Sequence, residues 1–337
     1  MVNKKTSMML IALLFLVSSA VTAFAEEVVV YSARDKNLLR IPFNAFTHET
    51  GIHIKLISGK IDELLEILKK EGKDSAADML ITVDAGSLWQ AAQAGLFQPI
   101  NSDILANNIP YHLRDPENLW FGLSKRARTI VYSTKWVRPA ELSTYADLAQ
   151  PKWQDRLCLR TSKKVYNQSL VAMMITKYGV ERTEEIVKGW VQNLADEPYK
   201  KDTDVIMAII DRQCDVGIVN HYYYGRLLKR DPTIAVDLFW PNQGEGEGGV
   251  YIDISGAGIM KHARNKESAV KLLNWLSSEK AQNLFADSNM EYPVNPNVKP
   301  DPLVQAWGDF KPNTDNLSQS GKYRESAIEL MQRANYR

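Results

Sequence analysis

Cys214-Asp215-Val216-Gly217-Ile218-Val219, followed at once by Asn220-His221-Tyr222-Tyr223-Tyr224-Gly225-Arg226, is the stretch on which the reading of the chain turns. The first six residues read as a short buried strand, and three consecutive phenols stand at its carboxyl end. In an open α/β sheet, ligands bind just outside the carboxyl ends of strands, so these side chains are candidates for a cleft. Phenol is a poor acid or base near neutrality, with an unperturbed pKa of about 10. Ionised by a strong cation, its oxygen becomes a hard donor that matches hard, highly charged metals. Aromatic packing against a core is the competing reading of the triplet.

Working outward, the rest of the chain alternates in the same way. Glu27-Val28-Val29-Val30-Tyr31-Ser32 reads as a first strand, with a helical pattern following towards Phe46. Residues 51–59 alternate as a second strand, and Ile61, Leu64, Leu65 and Leu68 recur at helical spacing until Gly72. Residues 77–83 are a third strand, and Ser87 is the expected N-cap of the helix that follows. Residues 123–132 form a strand with basic side chains in its first half, read as a crossover between lobes. Leu157-Cys158-Leu159-Arg160 opens another strand–helix unit, and helices are expected near 168–177 and 183–193. Residues 244–249 are a glycine-rich loop leading into a strand at 250–256 that returns to the first lobe. Residues 268–285 make one long helix or two. Strands alternating with helices imply parallel pairing with right-handed crossovers.

The amino terminus carries Lys4-Lys5, an apolar run from Met8 to Val17, and Ala23-Phe24-Ala25 before Glu26-Glu27. This is the pattern of a secretory signal peptide cleaved after Ala25, too short for a membrane span. Removing residues 1–25 leaves 312 residues with 39 basic against 40 acidic side chains. A balance near neutrality gives no pointer to nucleic acid or a membrane surface, and a chain this long is expected to split into two cores. An exported protein could join Cys158 to Cys214 in a disulfide; two buried thiols is the other reading.

Several segments together resemble one family: Val30-Tyr31-Ser32-Ala33-Arg34, Arg126-Ala127-Arg128, Tyr166-Asn167-Gln168-Ser169-Leu170-Val171-Ala172, Asn220-His221-Tyr222-Tyr223, Ile254-Ser255-Gly256-Ala257-Gly258 and Tyr292-Pro293-Val294-Asn295-Pro296. The chain is similar to the periplasmic ferric-iron-binding proteins of bacterial ABC importers, a transferrin-like group of solute-binding proteins. The resemblance implies an α/β, two-lobed periplasmic-binding-protein fold of type II, with each lobe a mixed, mainly parallel sheet flanked by helices and the ligand in the cleft. The expected lobes are 26–127 with 253–303, and 128–252 with 304–337. It implies Fe3+ held by Tyr166, Tyr222 and Tyr223, with a synergistic anion such as carbonate, and Tyr224 outside the pair. It also implies a monomer in the periplasm that receives a ferric ion or ferric chelate, docks on an inner-membrane permease and performs no catalysis. Where many members carry His-Tyr after the first strand, this chain has Asp35-Lys36. Asp35 could supply a carboxylate oxygen, although a loop aspartate more often caps a helix.

Charge bookkeeping points the same way. Three phenolates neutralise Fe3+, so a divalent anion leaves the site negative, which a low-dielectric cleft penalises. Guanidinium groups meet an oxyanion through paired hydrogen bonds. Arg128 and Arg126 are the first candidates and Arg34 the third, with Arg126 and Arg128 on one face of their strand. Tyr251 could line the cleft, although core packing suits it better, and His221 is expected behind the phenols rather than on the metal. An organic anion or a polyamine in the same fold is the alternative reading. The five histidines, His48, His53, His112, His221 and His262, are scattered and accompany no hydrolase motif.

Overall fold

The computed structural model describes residues 26–337; the expected export signal and its cleavage site lie outside the described residues. Strand β1 (Glu27–Ser32) buries Val28 and Val30 completely and is followed by helix α1 (Arg40–Thr50), which ends at Gly51 in the left-handed region at φ 73°. Then come β2 (His53–Ser58), α2 (Ile61–Glu71), β3 (Met79–Thr82), α3 (Ala85–Gln93) and the short α4 (Asp103–Asn108). The N-cap of α3 is Asp84 rather than Ser87: its Oδ1 accepts from the Ser87 amide at 2.8 Å and its Oδ2 from the Ser87 hydroxyl at 2.7 Å. Ser87 sits inside the first turn, and the carboxylate ahead of it satisfies the free N–H.

Strand β4 (Phe121–Ser133) is the spine of the molecule. Its first half pairs antiparallel with β8 (Ile252–Ile259), up to Arg126 opposite Asp253 and Ala127 opposite Ile252. Its second half, from Arg128 onward, pairs antiparallel with β6 (Val216–Asn220) and β7 (Val236–Phe239). The strand changes partners between Ala127 and Arg128. Between β4 and β6 lie β5 (Leu157–Cys158), α5 (Val165–Tyr178), α6 (Val180–Gln192) and α7 (Asp202–Ile210), and α8 (His221–Arg230) follows β6 without a loop. The strand order is β2-β1-β3-β8-β4-β6-β5 with β7 also on β4.

The sheet is mixed, as expected, but not mainly parallel. Among the strands of the described residues, β1 with β2, β1 with β3, and β5 with β6 pair in parallel. The two long strands that pass between lobes, β4 and β8, run antiparallel to their neighbours. Strand β8 starts two residues later than expected, so Tyr251 precedes it. The 268–285 region is two helices, α9 (Lys266–Leu276) and α10 (Glu279–Asn289), with Ser278 capping the second by accepting from the Ala281 amide at 3.3 Å.

The C-terminal segment contains α11 (Pro302–Gln305), α12 (Ser318–Lys322) and α13 (Arg324–Arg333). Helix α12 packs against both α3 and α5, and α13 against α5 and α6, so this segment touches elements assigned to both lobes. Trp120, Trp153 and Trp190 are fully buried, and burial of a large apolar side chain stabilises by about 1.5–3 kcal/mol. Cys158 and Cys214 are joined in a disulfide with Cα atoms 5.9 Å apart. No helix among the described residues is long and apolar enough to cross a membrane.

Candidate metal centre

The phenol triplet does not extend β6. Strand β6 ends at Asn220, and His221 to Tyr224 form the first turn of α8. Tyr166 occupies the equivalent place in α5, one residue after its start. Neither helix has a side-chain cap at its amino end. The positive ends of two helix dipoles therefore face the cleft beneath the phenols, which favours negative charge there.

The tertiary structure brings the three tyrosines together. The Tyr222 hydroxyl donates to the Tyr166 hydroxyl at 3.5 Å, and the rings of Tyr222 and Tyr223 lie 4.6 Å apart between centroids. All three line a cavity of about 230 Å³, shared with Arg34, Asp35 and Arg126. Burial pushes the Tyr222 hydroxyl well above its ordinary pKa, and the neighbouring Tyr166 and Tyr223 push in the same direction. Burial also raises Tyr166, with the Arg126 guanidinium opposing it. Without a cation Tyr166 and Tyr222 therefore stay neutral, and a strong positive charge is needed to ionise them. Tyr224 turns away from the cavity, its hydroxyl donating to Asp237 at 3.3 Å.

Two of the expected guanidinium groups are at the cavity. Arg34 bonds Ser124 at 3.2 Å, also donates to Ser255, and pairs with buried Glu291 at 2.7 Å. Arg126 donates to the Val83 carbonyl, pairs with buried Asp253 at 3.0 Å, and stands 5.0 Å over the Tyr166 ring. Arg128 does not line the cavity. Its Nε and Nη2 donate to Asn167 Oδ1 at 3.0 and 2.6 Å, its Nη1 to Asp202 at 3.1 Å and Asn220 at 3.0 Å, and its Nη2 to the Ile218 carbonyl at 3.2 Å. These bonds occupy its whole donor fork, leaving nothing for an oxyanion.

Asp35 caps a short 3-10 turn, Oδ1 accepting from the Asn37 amide at 2.9 Å, while remaining at the cavity edge. Tyr251 is buried beside Tyr145 and Met174 in a separate small cavity and does not reach the tyrosine group. His221 is fully buried. Its Nε2 faces the Met290 carbonyl at 2.8 Å, and its Nδ1 accepts from the Ala127 amide at 3.1 Å. Nδ1 also lies 3.3 Å from the Ala127 carbonyl, but the shorter Nε2 contact to Met290 and the Ala127 amide donating to Nδ1 fit the neutral Nε2–H tautomer, with both nitrogens engaged. Burial lowers its pKa to about 4.

Two further cations line the cavity that sequence reasoning did not single out. Lys164 lies 4.7 Å over the Tyr166 ring, and Arg226 4.8 Å over the Tyr222 ring. Neither has a carboxylate partner within salt-bridge distance among the described residues, whereas Arg34 and Arg126 each do. Arg226 was findable, because it stands one helical turn after Tyr222 once α8 is read as a helix. Glu291 and Asp202, from distant segments, carried no local signal.

A family profile for bacterial extracellular solute-binding proteins matches residues 74–310. The chain is 45% identical over 318 residues to iron uptake protein A1 of Synechocystis, covering 93% of this chain and 88% of that one. It is 27% identical over 294 residues to the major ferric iron-binding protein of Neisseria meningitidis, covering 85% and 86%. Among solved structures, a Trichodesmium protein (IdiA, FutA) in complex with iron and citrate superposes with a TM-score of 0.88 at 43% identity, covering 92% of this chain and all of that one. The apo ferric ion-binding protein A of Pasteurella haemolytica gives 0.86 at 39% identity, covering 93% and 98%.

Proposed function

The chain belongs to the bacterial extracellular solute-binding proteins, and from that premise we propose that it captures Fe3+ through Tyr166, Tyr222 and Tyr223 and delivers it to an inner-membrane ABC permease. The observation that carries this reading is that Tyr166, Tyr222 and Tyr223, from two helix amino termini, line one cavity, with the Tyr166 and Tyr222 hydroxyls 3.5 Å apart. Metal–oxygen bonds of about 2 Å let one hard ion reach both. No group of three or more His, Cys, Asp or Glu side chains suited to a metal occurs among the described residues. The donors on offer at this cavity are three phenols, with the Asp35 carboxylate at its edge, an all-oxygen set that suits a hard trivalent cation.

The charge around the phenols supports the same reading. Arg34 and Arg126 are balanced by Glu291 and Asp253, while Lys164 and Arg226 are free. Lys164 and Arg226, less the Asp35 carboxylate at the cavity edge, offset part of the excess that three phenolates and a divalent anion such as carbonate leave around Fe3+. Arg126 and Arg34, which line the same cavity, are the guanidinium groups that would meet that anion. A polyamine is disfavoured, because a pocket with surplus positive charge repels a polycation. The protein acts as a monomer in the periplasm after removal of residues 1–25, binding and releasing cargo rather than transforming it.

The test is incubation with a ferric chelate followed by elemental analysis and visible spectroscopy. One iron per chain and a tyrosinate-to-iron charge-transfer band are expected. A colourless protein without iron that instead shows a thermal shift with an organic phosphonate would replace this reading with the organic-anion one.

A further inference from the structure

We propose that Arg128, held by Asp202, is a positioning residue that sets the separation of the Tyr166 and Tyr222 hydroxyls before any metal arrives. The inference rests on reading those two tyrosines as ligands. Arg128 makes no hydrogen bond to either, its guanidinium standing 6.0 Å from the centroid of the Tyr166 ring, yet it bonds the residue that follows Tyr166 and the one two positions before Tyr222. Asn167 follows Tyr166 in α5, and its Oδ1 accepts from two nitrogens of Arg128, at 3.0 and 2.6 Å. Asn220 closes β6 directly across β4 from Arg128. Its Oδ1 accepts from Arg128 at 3.0 Å, and its Nδ2 donates to the Tyr222 hydroxyl at 3.1 Å.

The other ends of these contacts are also fixed. Asn167 Nδ2 donates to the Arg160 carbonyl at 2.7 Å and to the Tyr336 hydroxyl at 2.8 Å, which pins the start of α5. Asp202, fully buried at the start of α7, accepts from Arg128 at 3.1 Å and from the Asn220 amide at 3.0 Å. One planar guanidinium thus sets the spacing between the amino ends of α5 and α8. Lysine could not replace it, since a single ammonium cannot present the same fixed fork. A buried ion pair is weak evidence for stability by itself. Here its bonds lead to both ligand-bearing helices, and supporting contacts of this kind tune metal sites.

The experiment compares the full mature chain with Asn220→Ala and Arg128→Lys, using Arg126→Gln as a reference. Near-ultraviolet circular dichroism checks folding, ferric ion with bicarbonate is the probe, and the metal-free crystal structures are solved. Asn220→Ala keeps the Arg128–Asp202 pair and is expected to fold. Its iron retention should weaken on the order of 10–100-fold, with a shifted charge-transfer maximum and an unchanged dependence on bicarbonate. Arg126→Gln should change the bicarbonate dependence instead. In the metal-free Asn220→Ala structure the two hydroxyls should no longer stand together. An unchanged hydroxyl separation there, or Arg128→Lys reproducing the bicarbonate phenotype of Arg126→Gln, overturns the proposal. Should the unaltered protein take up no iron, the ferric reading fails, and the hydroxyl separation in the metal-free variants still decides the positioning role.

Discussion

His221 Nε2 donates to the carbonyl of Met290, 2.8 Å away and 69 positions later in the chain. The same ring accepts from Ala127 at the point where β4 changes partners. One neutral imidazole therefore fastens the start of α8 to both the crossover strand and the end of α10. Burial holds its pKa at about 4, well under the ordinary 6.5. The unfolded chain then binds more protons than the folded one across that interval, so stability is full above about 6.5 and falls as pH drops towards 4.

The metal-free protein should accordingly lose up to roughly 3 kcal/mol between pH 6.5 and 4 from this residue alone. Glu291 adds to the loss in a lower window. Its burial opposes ionisation, but the Arg34 pair holds its pKa below the usual carboxylate value, so its contribution disappears as acid protonates it. Thermal melts of the metal-free chain across this range check the prediction, with His221→Gln expected to flatten the upper part of the profile.

Removing one of the phenols proposed to hold iron should weaken its retention strongly. Tyr222→Phe is expected to cost more than Tyr223→Phe, because Tyr222 is the buried member that shares a hydrogen bond with Tyr166. Competition against a chelator of known strength measures the loss. Unchanged retention in both Tyr166→Phe and Tyr222→Phe would move the site elsewhere.

Iron binding should weaken on acidification for a reason separate from stability. The pKa values of Tyr166 and Tyr222 are raised in the metal-free pocket, so coordination must displace their protons. Apparent affinity should fall by up to about tenfold per displaced proton for each pH unit. Titrating the charge-transfer band between pH 8 and 6, where the fold is intact, reads this slope directly.

The free cations of the cavity predict a salt-sensitive effect. Lys164→Met and Arg226→Met should each reduce iron retention about tenfold, through loss of a charge near the phenolates. Partial exposure of the pocket makes the effect shrink at high ionic strength. Equal retention in wild type and the double variant at low salt would show that the anion and phenolates need no such offset.

The disulfide closes a long loop, with 56 positions between Cys158 and Cys214. Loop-closure entropy for that length corresponds to about 4 kcal/mol. Replacing both cysteines by serine should lower the denaturation midpoint accordingly. Iron affinity should fall less, since the bridge joins the strands behind the ligands rather than the ligands themselves.

Much of the framework was legible from local pattern. The β-branched run at Val28–Val30, the helical spacing of Leu64, Leu65 and Leu68, and the short strand before Asn220 each appear where hydrophobic periodicity places them. Misreadings came where a local signal had two outcomes. Ser87 and Asp84 are both good caps, and the backbone geometry of the turn chose the carboxylate. Arg126 and Arg128 share a strand face but not an environment, because β4 leaves β8 for β6 between them.

By itself the sequence determined the alternation of strands and helices, the residue types able to bind a hard ion, and the two cysteines available for a bridge. These are properties of neighbouring residues, carried by periodicity, side-chain chemistry and spacing. Only the tertiary structure decided which arginine faces the cavity and which is consumed by Asp202, Asn167 and Asn220. It also decided that Lys164 and Arg226 are the uncompensated charges, and that Glu291 and Asp253 neutralise the others. The role of a charged side chain depends on its partners, and those partners arrive from segments 39 to 257 residues away, beyond the reach of any local pattern.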